Sequence, residues 1–208
     1  MKKQKTRVLC FIMLLVIAIT GCGKDSEFTV GKWNGNTFEN SWLNMKFEIP
    51  DDWNIASTEE INEIVGAGAE ALDLNGTSAE QIKKAAELKT VYSFMVSDST
   101  STMNAQLIYE NLALSIGGTK FTEEEYLDQI SEMLLQQESY QYEQTDKGSV
   151  EIAGKTFQKI QFSAFDGVMY QEYYSYKMDK FMVSLIISYT PEQEALRNDF
   201  INNISTLK

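Results

Sequence analysis

The chain has 208 residues, 18 Lys and Arg against 30 Asp and Glu, and a formal net charge of −12. It contains no histidine, which excludes Ser-His-Asp and Cys-His nucleophile systems, His-ligated zinc and histidine acid–base catalysis. A surface this acidic repels nucleic acid and anionic lipid headgroups, so a nucleic-acid partner is excluded as well.

Lys2, Lys3, Lys5 and Arg7 precede an uncharged apolar run from Val8 to Thr20. The run is shorter than the roughly 20 residues that a spanning helix needs and matches the apolar segment of a signal peptide. Ile19-Thr20-Gly21-Cys22 closes it. This stretch resembles the lipobox of bacterial lipoproteins, which implies cleavage between Gly21 and Cys22 and a diacylglycerol thioether on Cys22. Two acyl chains give stable anchoring where one is marginal. Cys10 would leave with the leader, so no disulfide is expected and stability must come from the core. The expected organisation is a signal peptide over 1–21, the lipidated cysteine and a tether over 22–40, and a single domain over 41–208.

Gly23 to about Asn40 is rich in Gly, Asn, Ser and Lys and reads as a tether that passes into a short hairpin at Trp33-Asn34-Gly35-Asn36, because Asn-Gly is a strong turn signal. Fully extended, it would let the domain stand as much as roughly 60 Å from the headgroups. Met45, Phe47 and Ile49 then alternate as a strand up to Pro50. Four helix starts carry the S/T-x-x-E/Q spacing of a capping box: Ser57 with Glu60, Ser78 with Gln81, Thr122 with Glu125, and Thr190 with Gln193,. The first helix, with Ile61, Ile64 and Val65, is expected to stop at Gly66-Ala67-Gly68. Ile82, Ala85 and Ala86 mark the second. Tyr126, Leu127, Ile130, Met133 and Leu134 form one apolar stripe on the third. The fourth, with Pro191 at its first position, uses Leu196, Phe200, Ile201 and Ile204.

Strands are expected at Val91–Val96, around Ala105–Glu110 and Ile160–Ala164, and as a long hairpin of Met169–Lys177 with Phe181–Tyr189. In the last strand Phe181, Val183, Leu185, Ile187 and Tyr189 share a face, while Met182 and Ile186 lie on the other. A strand apolar on both sides is central, with both faces at least partly covered. Short connections between strands indicate an α+β fold: an antiparallel sheet of about six strands flanked by helices, an α/β/α sandwich.

The stretch Asn40 to Trp53, in which a strand ends in Pro50-Asp51-Asp52-Trp53 before a helix, resembles the opening of the PsbP/Mog1-like superfamily, which includes DcrB-type lipoproteins. Asn104–Asn111, the Thr122–Leu127 helix start, Val150–Gly154 with Phe157 and the late aromatic hairpin extend the resemblance over about 38–206. It implies the same α/β/α sandwich and accessory or assembly roles, with no shared catalytic residues.

Candidate sites are few. Tyr170, Tyr173, Tyr174 and Tyr176 crowd the late hairpin and offer a possible binding surface for a glycan or peptide, against the simpler reading of cross-strand packing. Tyr173 points away from the other three. Glu123-Glu124-Glu125 reads as helix-dipole complementation, Asp51-Asp52 as a turn, and Asp98–Thr102 as a polar hairpin loop. Gly66–Ala69 and Ile116–Thr119 lack phosphate-loop spacing. No EF-hand pattern occurs. No catalytic residue, metal or cofactor is expected.

The reading is a non-enzymatic binding or scaffolding lipoprotein, exported and held by Cys22 on the outer face of a bacterial membrane, Gram-positive rather than Gram-negative. Its partner is an envelope protein or ligand. The rivals are a solute-capturing accessory lipoprotein of a transporter, favoured by a two-lobed cleft, and a carboxylate-based envelope hydrolase, favoured by two acids facing one pocket.

Overall fold

A computed structural model describes residues 27–71, 90–114 and 117–207, with the backbone alone for 65–71. Among these residues two antiparallel sheets form. The smaller contains β1 (Lys32–Asn34), β2 (Thr37–Asn40), β3 (Met45–Glu48) and β11 (Ile204–Thr206), in the order β1-β2-β3-β11. The larger contains β4 (Asn54–Ile55), β5 (Thr90–Ser97), β6 (Met103–Asn111), β7 (Glu143–Ile152), β8 (Lys155–Ala164), β9 (Met169–Met178) and β10 (Phe181–Tyr189). Its order is β4-β5-β6-β10-β9-β8-β7. The helices are α1 (Thr58–Ala71), α2 (Glu123–Leu135) and α3 (Glu194–Asn202).

The alternation in β10 decides the layering. Phe181, Val183, Leu185, Ile187 and Tyr189 enter the main core, where they meet Phe38, Met45 and Phe47 from the small sheet and Trp42 from its β2–β3 turn, with Phe94, Leu107 and Tyr109. On the opposite face Met182 packs with Leu112 and Tyr126. Ile186 packs there too, against a cluster of Leu127, Leu134, Ile160, Phe162 and Tyr173. The small sheet therefore covers one face of the large sheet and α2 covers part of the other. Removing any of these buried large side chains from water contributes about 1.5–3 kcal/mol.

The expected single sheet of about six strands is corrected by this arrangement. Each of the six expected strands exists, but β3 belongs to a second sheet, and a sheet rather than a helix layer covers the inner face. The period-two pattern misses β7 because Glu143–Ser149 is exposed along its whole length. An edge strand with both sides in water has no apolar alternation to show. The β1–β2 hairpin forms at Gly35-Asn36, with Trp33 opposite Phe38.

The boundary at residue 40 also moves. Phe28 already stacks on Phe181, ring centroids 4.3 Å apart, and meets Trp42 and Tyr109 edge-on. The folded body thus includes most of what composition marks as tether. Polar residues there form the sheet's rim rather than a linker.

Helix starts divide by geometry. Thr122 and Glu125 close a full capping box, as do Ser57 and Glu60. Thr190 makes no cap bond: Pro191–Gln193 forms a 3-10 turn and α3 begins at Glu194. Ser78, Gln81 and the second expected helix lie outside the described residues. α1 runs through Gly66 and Gly68 to Ala71. Glycine costs about 1 kcal/mol against alanine in a helix interior, and the intervening alanines sustain the helix.

Candidate functional site

The most concentrated set of polar groups surrounds Glu172, on the face of β9 that carries Tyr170, Tyr174 and Tyr176. Its side chain is fully buried. The Tyr174 hydroxyl donates to Oε2 at 2.6 Å, Gln161 Nε2 donates to Oε1 at 2.9 Å, and the Tyr189 hydroxyl reaches Oε1 at 3.3 Å. Two cations complete the group, Lys159 Nζ at 3.3 Å and Arg197 Nε at 3.3 Å. The Arg197 Nε–H is not aligned on the carboxylate, so that contact is coulombic.

These groups come from separate elements. Lys159 and Gln161 are alternate residues of β8 and Glu172 stands opposite Gln161 in the register. Tyr189 closes β10, and α3 brings Arg197 over the Tyr189 ring at 5.2 Å from its centroid. Burial raises the Tyr174 and Tyr189 hydroxyl pKa values, and the neighbouring carboxylate of Glu172 raises both further. Burial alone would lower that of Arg197, but Glu172 and the two tyrosines outweigh it and hold the guanidinium charge more firmly. The Glu172 carboxylate accepts three hydrogen bonds and faces two cations, one of which, Lys159, it shares with Asp146 at 3.1 Å. The arrangement suits a structural ion cluster that pins α3 to the sheet, rather than a general base.

The four tyrosines do not share a surface. Tyr174 sits in this cluster and Tyr173 lies under α2, both buried. Tyr170 packs on Tyr189 and Tyr176 on Phe157, each half-buried. The simpler reading of cross-strand packing describes them.

A second aromatic set forms around Tyr140 and Tyr142. Phe165 N–H donates to the Tyr140 carbonyl, and the Phe165 ring lies 5.4 Å from that of Tyr140, which stacks on Tyr142. Phe165 and Val168 are 40% and 64% exposed at the β8–β9 turn. Phe165 and Asp166 hold φ of 53° and 56°, the left-handed region that non-glycine residues seldom adopt. Phe165-Asp166-Gly167-Val168 reads locally as an ordinary turn; only the fold brings Tyr140 and Tyr142 beside it.

Two grooves open on the outer face of the large sheet. One of about 400 Å³ lies between α1 and β5–β6, lined by Ile55, Glu60, Ile64, Met95 and Gln106 among others. The Glu60 carboxylate there accepts the Ser57 N–H. The other, about 390 Å³, runs beside α2, lined by Glu110, Tyr126, Ile130, Met133 and Ile186 among others. Tyr126 donates to Glu110 at 2.8 Å. Neither is a cleft between two lobes.

The remaining candidates take up local roles. Asp51 accepts from Asn36 Nδ2 at 2.9 Å in the turn after β3. Glu123 accepts the Lys177 backbone N–H, a tertiary contact that the dipole reading does not contain. Asp98 is buried in the β5–β6 loop and accepts from Met103 N at 2.7 Å and Thr100 N at 3.1 Å. Gly117 and Gly118 belong to a 3-10 turn. Cys22 and Gly21 lie outside the described residues. Among those residues no group of three or more His, Cys, Asp or Glu is placed to hold a metal ion, and no helix is long and apolar enough to cross a membrane.

By sequence the chain matches no family profile and no curated protein. By structure it is similar to the solution structure of cyanobacterial PsbP (CyanoP) from Synechocystis sp. PCC 6803, with a TM-score of 0.51 and 10% identity over 91% of this chain and 99% of that one. It overlaps more weakly with LpqN, involved in cell envelope biogenesis of Mycobacterium tuberculosis (TM-score 0.33, 10% identity, 79% of this chain and 83% of that one). A Bacteroides thetaiotaomicron VPI-5482 crystal structure gives a TM-score of 0.38 with 12% identity over 84% of this chain and 49% of that one. The first likeness shows a PsbP-like fold.

Proposed function

We propose that this protein is a cell-envelope lipoprotein whose PsbP-like domain acts as a non-enzymatic binding module at the outer face of a bacterial membrane. The observation that carries the reading is the leader: a basic start, a short apolar run and Ile19-Thr20-Gly21-Cys22. Residues 1–21 are removed, Cys22 takes the lipid, and the folded body follows from Glu27. The composition, lean in cysteine and rich in Lys, Asn, Ile and Glu, favours a Gram-positive envelope.

Mechanistically the anchor supplies local concentration. A partner in the same envelope meets the domain in an effectively intramolecular encounter, so a weak contact suffices. The Glu172 cluster supports binding over catalysis, since its carboxylate is already held by Tyr174, Gln161 and Tyr189 and by two cations. The exposed Phe165 and Val168 tip, backed by half-buried Tyr140, replaces the late tyrosines as the contact surface. The reading requires no cofactor or metal.

Mass spectrometry of the N-terminal peptide from the membrane fraction tests it. The expected mature chain starts at Cys22 and carries two acyl chains, and Cys22→Ser abolishes that species. A chain that keeps residues 1–21, or that starts at an unmodified cysteine, overturns the proposal.

A further inference from the structure

We infer that the β8–β9 tip, Phe165 with Val168, docks a cationic segment of a protein partner, one that presents an apolar side chain flanked by arginine or lysine. The inference rests on the reading of this tip as the contact surface of a binding module. Among the described residues Phe165 is the one exposed aromatic residue, and Val168 is the most exposed large apolar side chain. Both belong to a single turn, closed by the Val168 N–H donating to the Phe165 carbonyl at 3.3 Å.

This turn is held from below. Phe165, Asp166 and Gly167 have φ of 53°, 56° and 83° in succession. Glycine and aspartate accept that region, whereas a phenylalanine seldom does. The Phe165 N–H donates to the Tyr140 carbonyl at 2.8 Å, and the Phe165 ring rests 5.4 Å from that of Tyr140. Tyr140 stacks on Tyr142, whose ring meets Phe162 edge-on in the cluster that Leu127 and Leu134 of α2 cover. An apolar ring turned outward in an uncommon backbone conformation, and fixed there by a hydrogen bond and a stack, is arranged for contact before a partner arrives. Less conformational freedom is then lost on binding.

Charge around the tip names the partner's chemistry. The two stretches that meet here, residues 129–146 and 160–176, contain no Lys or Arg. Glu138, two residues before Tyr140, Glu143, opposite Ser163 in the register, and Asp166 in the turn itself are all exposed. None of the three forms an ion pair among the described residues. An apolar tip bordered by uncompensated carboxylates complements a segment of the opposite make-up, apolar at its centre and cationic at its edges. Arginine suits that border best, because a guanidinium pairs with carboxylates through parallel N–H bonds and also stacks on aromatic rings. An anionic headgroup layer is repelled here, as is a second copy of this chain, with its net charge of −12,.

The test uses the full-length protein as isolated from its cells in a neutral detergent. The probe is a fluorescent Gly/Ser peptide with arginines around a central leucine. The same peptide with glutamates for arginines, and a short chitin oligosaccharide, run in parallel. Anisotropy should show the arginine peptide binding, less tightly as salt rises. Phe165→Ser with Val168→Ser should lower its affinity several-fold. Glu138→Gln with Asp166→Asn should do the same, and keeps the turn because asparagine tolerates the left-handed region. Glu59→Gln with Glu124→Gln removes as much charge from the first turns of α1 and α2 and should leave the affinity unchanged. Equal losses in the two charge variants would assign the binding to the acidic surface as a whole and overturn the inference. A tip that takes the glutamate peptide or the oligosaccharide instead, or a parent protein that binds none of the three, overturns it too. Lipidation of Cys22 is read separately, from the mass of the N-terminal peptide, and stands or falls without these results.

Discussion

Trp53 and Phe200 stack face to face, with ring centroids 5.4 Å apart and planes 4° from parallel. Trp53 ends the Pro50-Asp51-Asp52-Trp53 turn and Phe200 lies on α3, so the contact ties the early part of the fold to its C-terminal helix. Both side chains are buried. Either alanine substitution should cost about 3–5 kcal/mol in urea unfolding. A double-mutant cycle should return a coupling of about 0.5–1.5 kcal/mol beyond area burial. Strict additivity would show that the stack contributes only its separate burials.

Capping should separate two threonines that the sequence treats alike. Thr122→Ala removes a bond to the Glu125 N–H and is expected to cost about 1 kcal/mol, within the usual range for a lost N-cap. Thr190→Ala should cost clearly less, because Thr190 makes no cap bond. Chemical denaturation midpoints of the two variants decide the point. Equal losses would mean that the cap geometry of α2 contributes nothing particular.

Glu172 is the most consequential single charge. Glu172→Gln keeps the shape but leaves Lys159 and Arg197 without their shared buried anion, and a loss of about 3–5 kcal/mol is expected. Proteolysis should then cleave first near α3, whose Arg197 loses its buried partner. A variant as stable as the parent would show that solvent already screens the cluster.

Asp98 gives the acid side of the stability profile. Burial alone would raise its pKa, but bonds from Thr100, Met103 and Thr102 outweigh it and hold the carboxyl below its ordinary value. The folded state therefore binds this proton less readily than the unfolded chain. Its contribution is present above the ordinary carboxyl value, near about 3.9, and is lost as pH falls through the lower folded value. Asp98→Asn should flatten that part of the stability curve. An unchanged acid slope would exclude the loop as its source.

Glycine substitutions should follow backbone and space together. At Gly31, with φ of +94°, an added Cβ would meet the Phe38 ring at 2.3 Å and the Glu39 carbonyl at 3.0 Å. Gly31→Ala should destabilise by more than about 1 kcal/mol. Gly148, on exposed β7, has open space around that position, and Gly148→Ala should be neutral or slightly stabilising. Thermal melts of both give the comparison.

The sequence alone determined what is local. Capping pairs at Ser57 and Thr122, the period-two runs of β3, β6, β8, β9 and β10, the apolar run of β5, and the two-faced apolar pattern of β10 all act through neighbours a few residues apart. The proposed leader and lipidation of Cys22 likewise rest on one contiguous stretch. Tertiary structure decided what depends on pairing between distant segments: that β3 leaves the large sheet, that exposed β7 joins it, and that Phe28 belongs to the core. It alone placed Arg197 on Glu172 and set Tyr140 against Phe165. Hydrogen bonding along a strand and the alternation of its side chains are encoded in the strand itself. Which surface covers it, and which charges meet, depends on the packing of segments whose separation along the chain leaves no periodic trace.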